Sequence, residues 1–177
     1  MDYKTDTYET DDQNLYRFAL GSLSEKTLFV FGINPSTADD AVPDPTMKQV
    51  MFFAEKHGYT SFMMFNLYPL RETDPSQLPI NPNQEMINRN INTIFNIISQ
   101  KENVDIWVAW GGDIDSRVYL PDCLKKIYKK LEKCSIQSWL RLDVLLKSGH
   151  PKHPLYKSHE FSFQNMDMTA YLESLDK

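Results

Sequence analysis

The sequence predicts an α/β protein: a three-layer α/β/α sandwich with a central, mostly parallel four-stranded sheet. Three observations carry this. Strand-like and helix-like segments alternate along the 177 residues. The strands are nearly all apolar, as strands covered on both faces are. Each stops at a turn rich in glycine, asparagine or proline. Crossovers in such a sheet are right-handed, and its ligand crevice lies at the strand C-terminal ends.

The elements follow in order. Residues 1–14, MDYKTDTYETDDQN, form a polar, acidic tail, and one α/β domain spans 15–177. LYRFAL, residues 15–20, fits either an edge strand or a short helical piece. TLFVFGI is the first buried strand, with apolar, β-branched and aromatic residues up to the turn. Asp44-Pro45-Thr46 has helix-start character, and MKQVMFFAEKHG runs as a helix closed by Gly58. TSFMMFNL is the second strand, ending at Asn66. A proline-rich loop, RETDPSQLPINPN, leads to a longer helix on which Met86, Ile87, Ile91, Ile94, Phe95 and Ile98 recur at helical spacing. VDIWVAWGG is the third strand and PDCLKKIYKKLEKC the third helix, with Pro121 at its start. SWLRLDVLLKSGH is the fourth strand, its first half ambiguous, and a short helix near MTAYLESL closes the chain.

Composition sets bounds. No apolar run reaches the roughly eighteen residues of a membrane span, and the acidic N-terminus lacks the basic-then-apolar order of a signal peptide. Cys123 and Cys134 fall on one predicted helix without metal-ligand spacing, so no metal, no cofactor and a reducing cytoplasm are expected. The oligomeric state is open. The net charge of -5 argues against a nucleic-acid partner, yet residues 117–157 hold ten basic and three acidic side chains. Lys125, Lys126, Lys129, Lys130 and Lys133 belong to that segment. They form either a solvated helix face or a phosphate-facing surface.

Four strand ends converge on the expected crevice. In Gly32-Ile33-Asn34-Pro35-Ser36 the glycine admits close backbone approach and Pro35 fixes the chain, so that the Asn34 amide faces a ligand; an ordinary strand-to-helix turn is the competing reading. No Gly-x-Gly-x-x-Gly or Gly-Lys-Ser/Thr is present, which argues against a dinucleotide or triphosphate cradle. Asn66 both donates and accepts, as the edge of a nucleobase requires, although a turn or cap asparagine looks the same. SGHPKHPLYK combines stiffening prolines with His150 and His153, Lys152 and Lys157, and an apolar-aromatic tip at Leu155 and Tyr156. A metal held by the two histidines lacks further ligands.

Taken together, YRFAL, GINPSTADD, DPT, HGY, NLYPLRETDP, AWGG and GHPKHPLY resemble the family called domain of unknown function 1643, over nearly the whole chain beyond the tail. More distantly, GINPS, MMFNLYPLR, IWVAWGG and GHPKHPL resemble, in order and placement, the motifs of the uracil-DNA glycosylase superfamily. That resemblance implies hydrolysis of an N-glycosidic bond in DNA or a nucleoside-type substrate. Asn34 would position the water, and His150 would donate to the departing base. Gly32, Ile33, Pro35 and Ser36 would line the base pocket. Asn66 would read the flipped base and Tyr68 would stack on it. Lys152, His153, Leu155 and Tyr156 would belong to the DNA-contact loop, with Leu155 or Tyr156 filling the duplex.

Departures accompany the resemblance. Asn34 is no strong base, Ser36 stands where the uracil-specific branch has tyrosine, and GHPKHPL is one residue longer than His-Pro-Ser-Pro-Leu, so His153 competes with His150. Two alternatives remain. One is a non-catalytic nucleobase or nucleic-acid binding module in the same pocket; the other is a small-molecule activity using Asp39, Asp40 or Asp44.

Overall fold

The computed structural model describes residues 1–176. Lys177, the last residue of the domain as read from sequence, lies outside the described residues. The chain forms an α/β structure built on one seven-stranded mixed sheet, not the four-stranded sheet expected. The strands are β1 (Thr7–Thr10), β2 (Arg17–Gly21), β3 (Thr27–Gly32), β4 (Ser61–Asn66), β5 (Val104–Val108), β6 (Ile136–Leu142) and β7 (Phe163–Asn165), in spatial order β1-β2-β4-β3-β5-β6-β7. β4, β3, β5 and β6 are mutually parallel, and they are the four strands read from the sequence. The extra three pair antiparallel, β1 and β2 at one edge and β7 at the other.

β1 and β7 escaped the sequence reading for a physical reason. β1 and β7 are short and partly exposed, with no buried face to impose alternation. LYRFAL resolves as β2, all of whose residues are buried although it carries an arginine. The acidic tail therefore docks as β1 rather than projecting. β6 stops at Leu142, and Asp143 turns away with φ of 55°, so the second half of the expected fourth strand is loop.

Helices cover both faces. α1 (Pro45–Lys56) packs on one, where Val50, Phe53 and Ala54 meet Leu28, Val30, Met64 and Trp107. α2 (Gln84–Ile98), α3 (Tyr119–Leu131) and α4 (Met168–Ser174) pack on the other, against Phe29, Phe31, Phe65 and Val108. The Asp44 side chain caps α1 by accepting from the Met47 N–H at 2.8 Å, and the helix closes at Gly58 with φ of 75°. α3 starts at Tyr119, two residues before Pro121. Among the described residues no helix is long and apolar enough to cross a membrane.

Candidate functional site: a polar cavity at the strand ends

β3, β4 and β5 end at one side of the sheet, and there they frame a cavity of about 320 Å³. That volume is at the lower end of the roughly 300–1,000 Å³ of small-molecule sites. Gly32, Met64 and Asn66 come from strand ends, Arg17 from β2, and Asn34, Ser36 and Thr37 from the loop after β3. The start of α1, the loop at Glu72 to Pro75, Trp110, Asp113, His153 and Leu155 complete the lining.

Backbone hydrogen bonds stitch the first two loops together beyond the sheet. Leu67, Tyr68 and Glu72 N–H groups donate to the carbonyls of Gly32, Ile33 and Pro35 at 2.9, 2.9 and 2.8 Å. Asn34 reinforces this. Its amide nitrogen donates to the Glu72 carbonyl at 2.6 Å, with longer contacts to Pro35 at 3.1 Å and Leu70 at 3.4 Å. Asn34 thus lines the cavity with its amide nitrogen directed into backbone.

Asn66 is the opposite case. Only 1% exposed, it has neither a partner for its amide nitrogen nor one for its amide oxygen among the described residues. Its backbone is fixed: it pairs in register with Gly32, and its carbonyl accepts from Asn90 Nδ2 at 2.8 Å. A side chain at position 32 would crowd it, since a Cβ there would lie 3.0 Å from Asn66 Oδ1 and 2.7 Å from Met64 Cε. Glycine thus leaves room beside a buried, unpaired amide edge.

Of the two histidines, His153 lines the cavity. The Leu155 N–H donates to its Nδ1 at 3.3 Å, which leaves the neutral ring's proton on Nε2. Burial first, then Lys157, lower its pKa, against the opposing pull of Asp113 and Asp44, so the neutral form is favoured. Gly111, at φ of 67°, permits this approach: a Cβ there would lie 3.1 Å from His153 Cβ.

His150 stands outside the lining, buried in a relay. Trp110 Nε1–H donates to the Tyr171 hydroxyl at 2.9 Å. That hydroxyl then donates to His150 Nδ1 at 2.9 Å, and His150 Nε2–H donates to Asp115 at 2.9 Å. The relay ties α4 to the end of β5 and to the loop carrying His153.

The remaining expected residues divide. Ile33 and Ser36 line the cavity, while Pro35 is buried in the loop behind it. Tyr68 is 1% exposed and lies outside the lining; its oxygen accepts from the Asn83 N–H at 3.0 Å and its ring packs on Tyr119. Leu155 is a wall residue, whereas Tyr156 is 88% exposed at φ of 57°. Lys152 is bound at 2.9 Å to Asp143 and covers the Phe161 ring. Asp44 reaches the cavity, Asp39 lies in the neighbouring cleft, and Asp40 lines neither.

Arg17 was missed as a site residue. It is 1% exposed, and Nη1 donates to the Ala38 carbonyl at 2.9 Å, while Nε has no partner among the described residues. Burial, then the proximity of Arg71, pushes its pKa down to about 10, which leaves it charged at neutral pH. The signal was an arginine inside the otherwise apolar YRFAL, a segment whose element type the sequence left open.

Fold and site together define an α/β protein with a pocket of mixed polar and apolar lining at the C-terminal ends of its parallel strands. The chain belongs to the family described as Protein of unknown function (DUF1643), whose family model matches residues 17–155. No curated protein and no solved structure matches it.

Proposed function

We propose that the cavity takes a nucleobase and that the protein hydrolyses the N-glycosidic bond of a nucleobase-containing substrate, in DNA or as a nucleoside-type molecule. The observation that carries this is Asn66, a cavity-lining amide on a fixed backbone, with donor and acceptor both unpartnered among the described residues. Buried polar groups are almost always paired, and a donor-acceptor edge of this kind matches that of a base. The apolar faces of Ile33, Met64 and Trp110 offer packing surface. The distant glycosylase resemblance of the strand-end motifs agrees with this reading.

The chemistry follows from the neighbours. The C1′–N bond breaks and the base leaves with the bonding electron pair. His153 Nε2–H, in place of His150, donates to the negative charge developing on the base. Asn34 Oδ1 orients the water that adds to C1′, and the proton lost by that water ends on the released base. His150 acts through the loop, as a positioning residue. In a DNA complex the exposed Tyr156 is the side chain free to enter a duplex.

A second reading, base binding without cleavage, is favoured by Asn34 itself, because a carboxamide cannot take up the water's proton. A base-release assay decides. Oligonucleotides with uracil, hypoxanthine, xanthine, ethenocytosine or mismatches, single- and double-stranded, and free nucleosides are incubated with wild type, Asn34→Ala and His153→Ala. Release that falls in both variants supports hydrolysis. Binding without release supports the module, and neither binding nor release refutes the base pocket.

A further inference from the structure

One feature of the cavity is unused by base reading. Arg17 brings a guanidinium with five N–H donors into a site where, among the described residues, it makes a single hydrogen bond, to Ala38. No carboxylate of the described residues comes within ion-pair distance of it. A buried charge without a counter-ion is strongly unfavourable, and such charges are normally paired.

Other charges surround Arg17. Asp44, Glu72 and Asp113 also line the cavity. Asp113 is exposed and the other two are half-exposed, so water screens them, whereas Arg17 is buried; Asp44 favours the Arg17 charge, but less than burial and Arg71 oppose it. An oxygen of Asp44 and one of Glu72 are turned to backbone N–H groups of Met47 and Thr73, each at 2.8 Å. Arg71 adds positive charge behind the loop, with Nη1 on the Ser36 and Ala38 carbonyls at 2.7 and 3.1 Å. The N-terminal turn of the 12-residue helix α1, through Thr46, presents its positive dipole end to the same space.

We propose that Arg17 is an anion-binding residue, holding the phosphate of a nucleoside phosphate whose base lies against Asn66. This rests on the base-pocket reading. It narrows the substrate from any base-containing molecule to one that presents a phosphate within a nucleotide's length of the base. A free nucleoside monophosphate and a nucleotide at a strand end share that chemistry.

Calorimetric titration tests it with nucleosides of the common bases and hypoxanthine, their 5′-monophosphates, ribose 5-phosphate and trinucleotides. A monophosphate is expected to bind at least about tenfold more tightly than its nucleoside, and Arg17→Met to bring the pair within about twofold. Arg71 still holds the Ala38 carbonyl in that variant, and the wild-type ratio stands as a test whether or not the variant folds. Equal affinity of nucleoside and monophosphate overturns the anion site and leaves base reading intact. Ribose 5-phosphate matching the monophosphates, with Arg17 required, keeps the anion site and refutes base reading by Asn66. A trinucleotide that outcompetes the monophosphate supports the site and places the phosphate in a strand. No binding by any phosphate compound overturns the proposal.

Discussion

Replacing Asn66 by leucine should make the unliganded protein more stable while removing its ligand affinity. The side chain is 1% exposed, and both amide atoms lack partners among the described residues. A buried polar group left unpaired costs about 1–3 kcal/mol, whereas an apolar group of similar shape carries no such penalty. Leucine is close to asparagine in shape, and Gly32 has no side chain to crowd it. The hydrogen bond from Asn90 goes to the backbone carbonyl of residue 66 and survives. The gain should be about 1–3 kcal/mol, and each kcal/mol should raise Tm by roughly 2–4 °C for a chain of this size. Binding of the preferred base-containing ligand should weaken by roughly tenfold or more, the worth of at least one well-made hydrogen bond. Thermal denaturation of both proteins without ligand, followed by titration, reads the two effects. A lower Tm together with unchanged affinity would refute the reasoning, because Asn66 would then be a structural residue satisfied by buried water.

Two further outcomes are expected. Tyr171→Phe removes the acceptor of the buried Trp110 N–H and the donor to His150, so chemical denaturation should show a loss of about 1–3 kcal/mol, with faster amide exchange around residues 150–155; unchanged stability would show that the relay holds nothing. His153, whose folded pKa lies below its ordinary 6.5 through burial, contributes stability that is complete above that pH and lost as pH falls through the folded value, because the unfolded chain then binds the extra proton. The wild-type stability advantage over His153→Gln should therefore shrink on acidification, and an NMR titration of the ring that put its pKa above 6.5 would contradict this.

The parallel strands β4, β3, β5 and β6 and the helices were legible because apolar runs, helical spacing and caps act locally. Asp44 and Gly58 do at the ends of α1 what their residue types suggest. What escaped depends on pairing over distance. β1 is half-polar and forms only because β2 offers it an edge, and β7 owes its place to β6. The histidines show the same limit. In His150-Pro151-Lys152-His153 the spacing cannot say which ring faces the crevice, because that is decided by Tyr171 and Asp115, 21 and 35 residues away, which claim His150. Lys152 looked available for phosphate in sequence, yet Asp143 already holds it.

The two asparagines make the stronger argument about function. Asn34 and Asn66 each end a buried apolar run at neighbouring strand tips, and nothing local separates them. In the folded chain Asn34 directs its amide nitrogen to loop carbonyls, which is ordinary loop construction. Asn66 has a hydrogen-bond partner for neither side-chain amide atom among the described residues, while its backbone is fixed from two sides. Arg17 repeats the pattern with a full charge. Each of these last two burials disfavours the empty protein, and a strand end selected for stability alone would carry apolar residues at both positions. That both open into the same cavity is what a ligand bearing a polar edge and an anionic group would explain, and what a merely structural account of the pocket leaves without a cause.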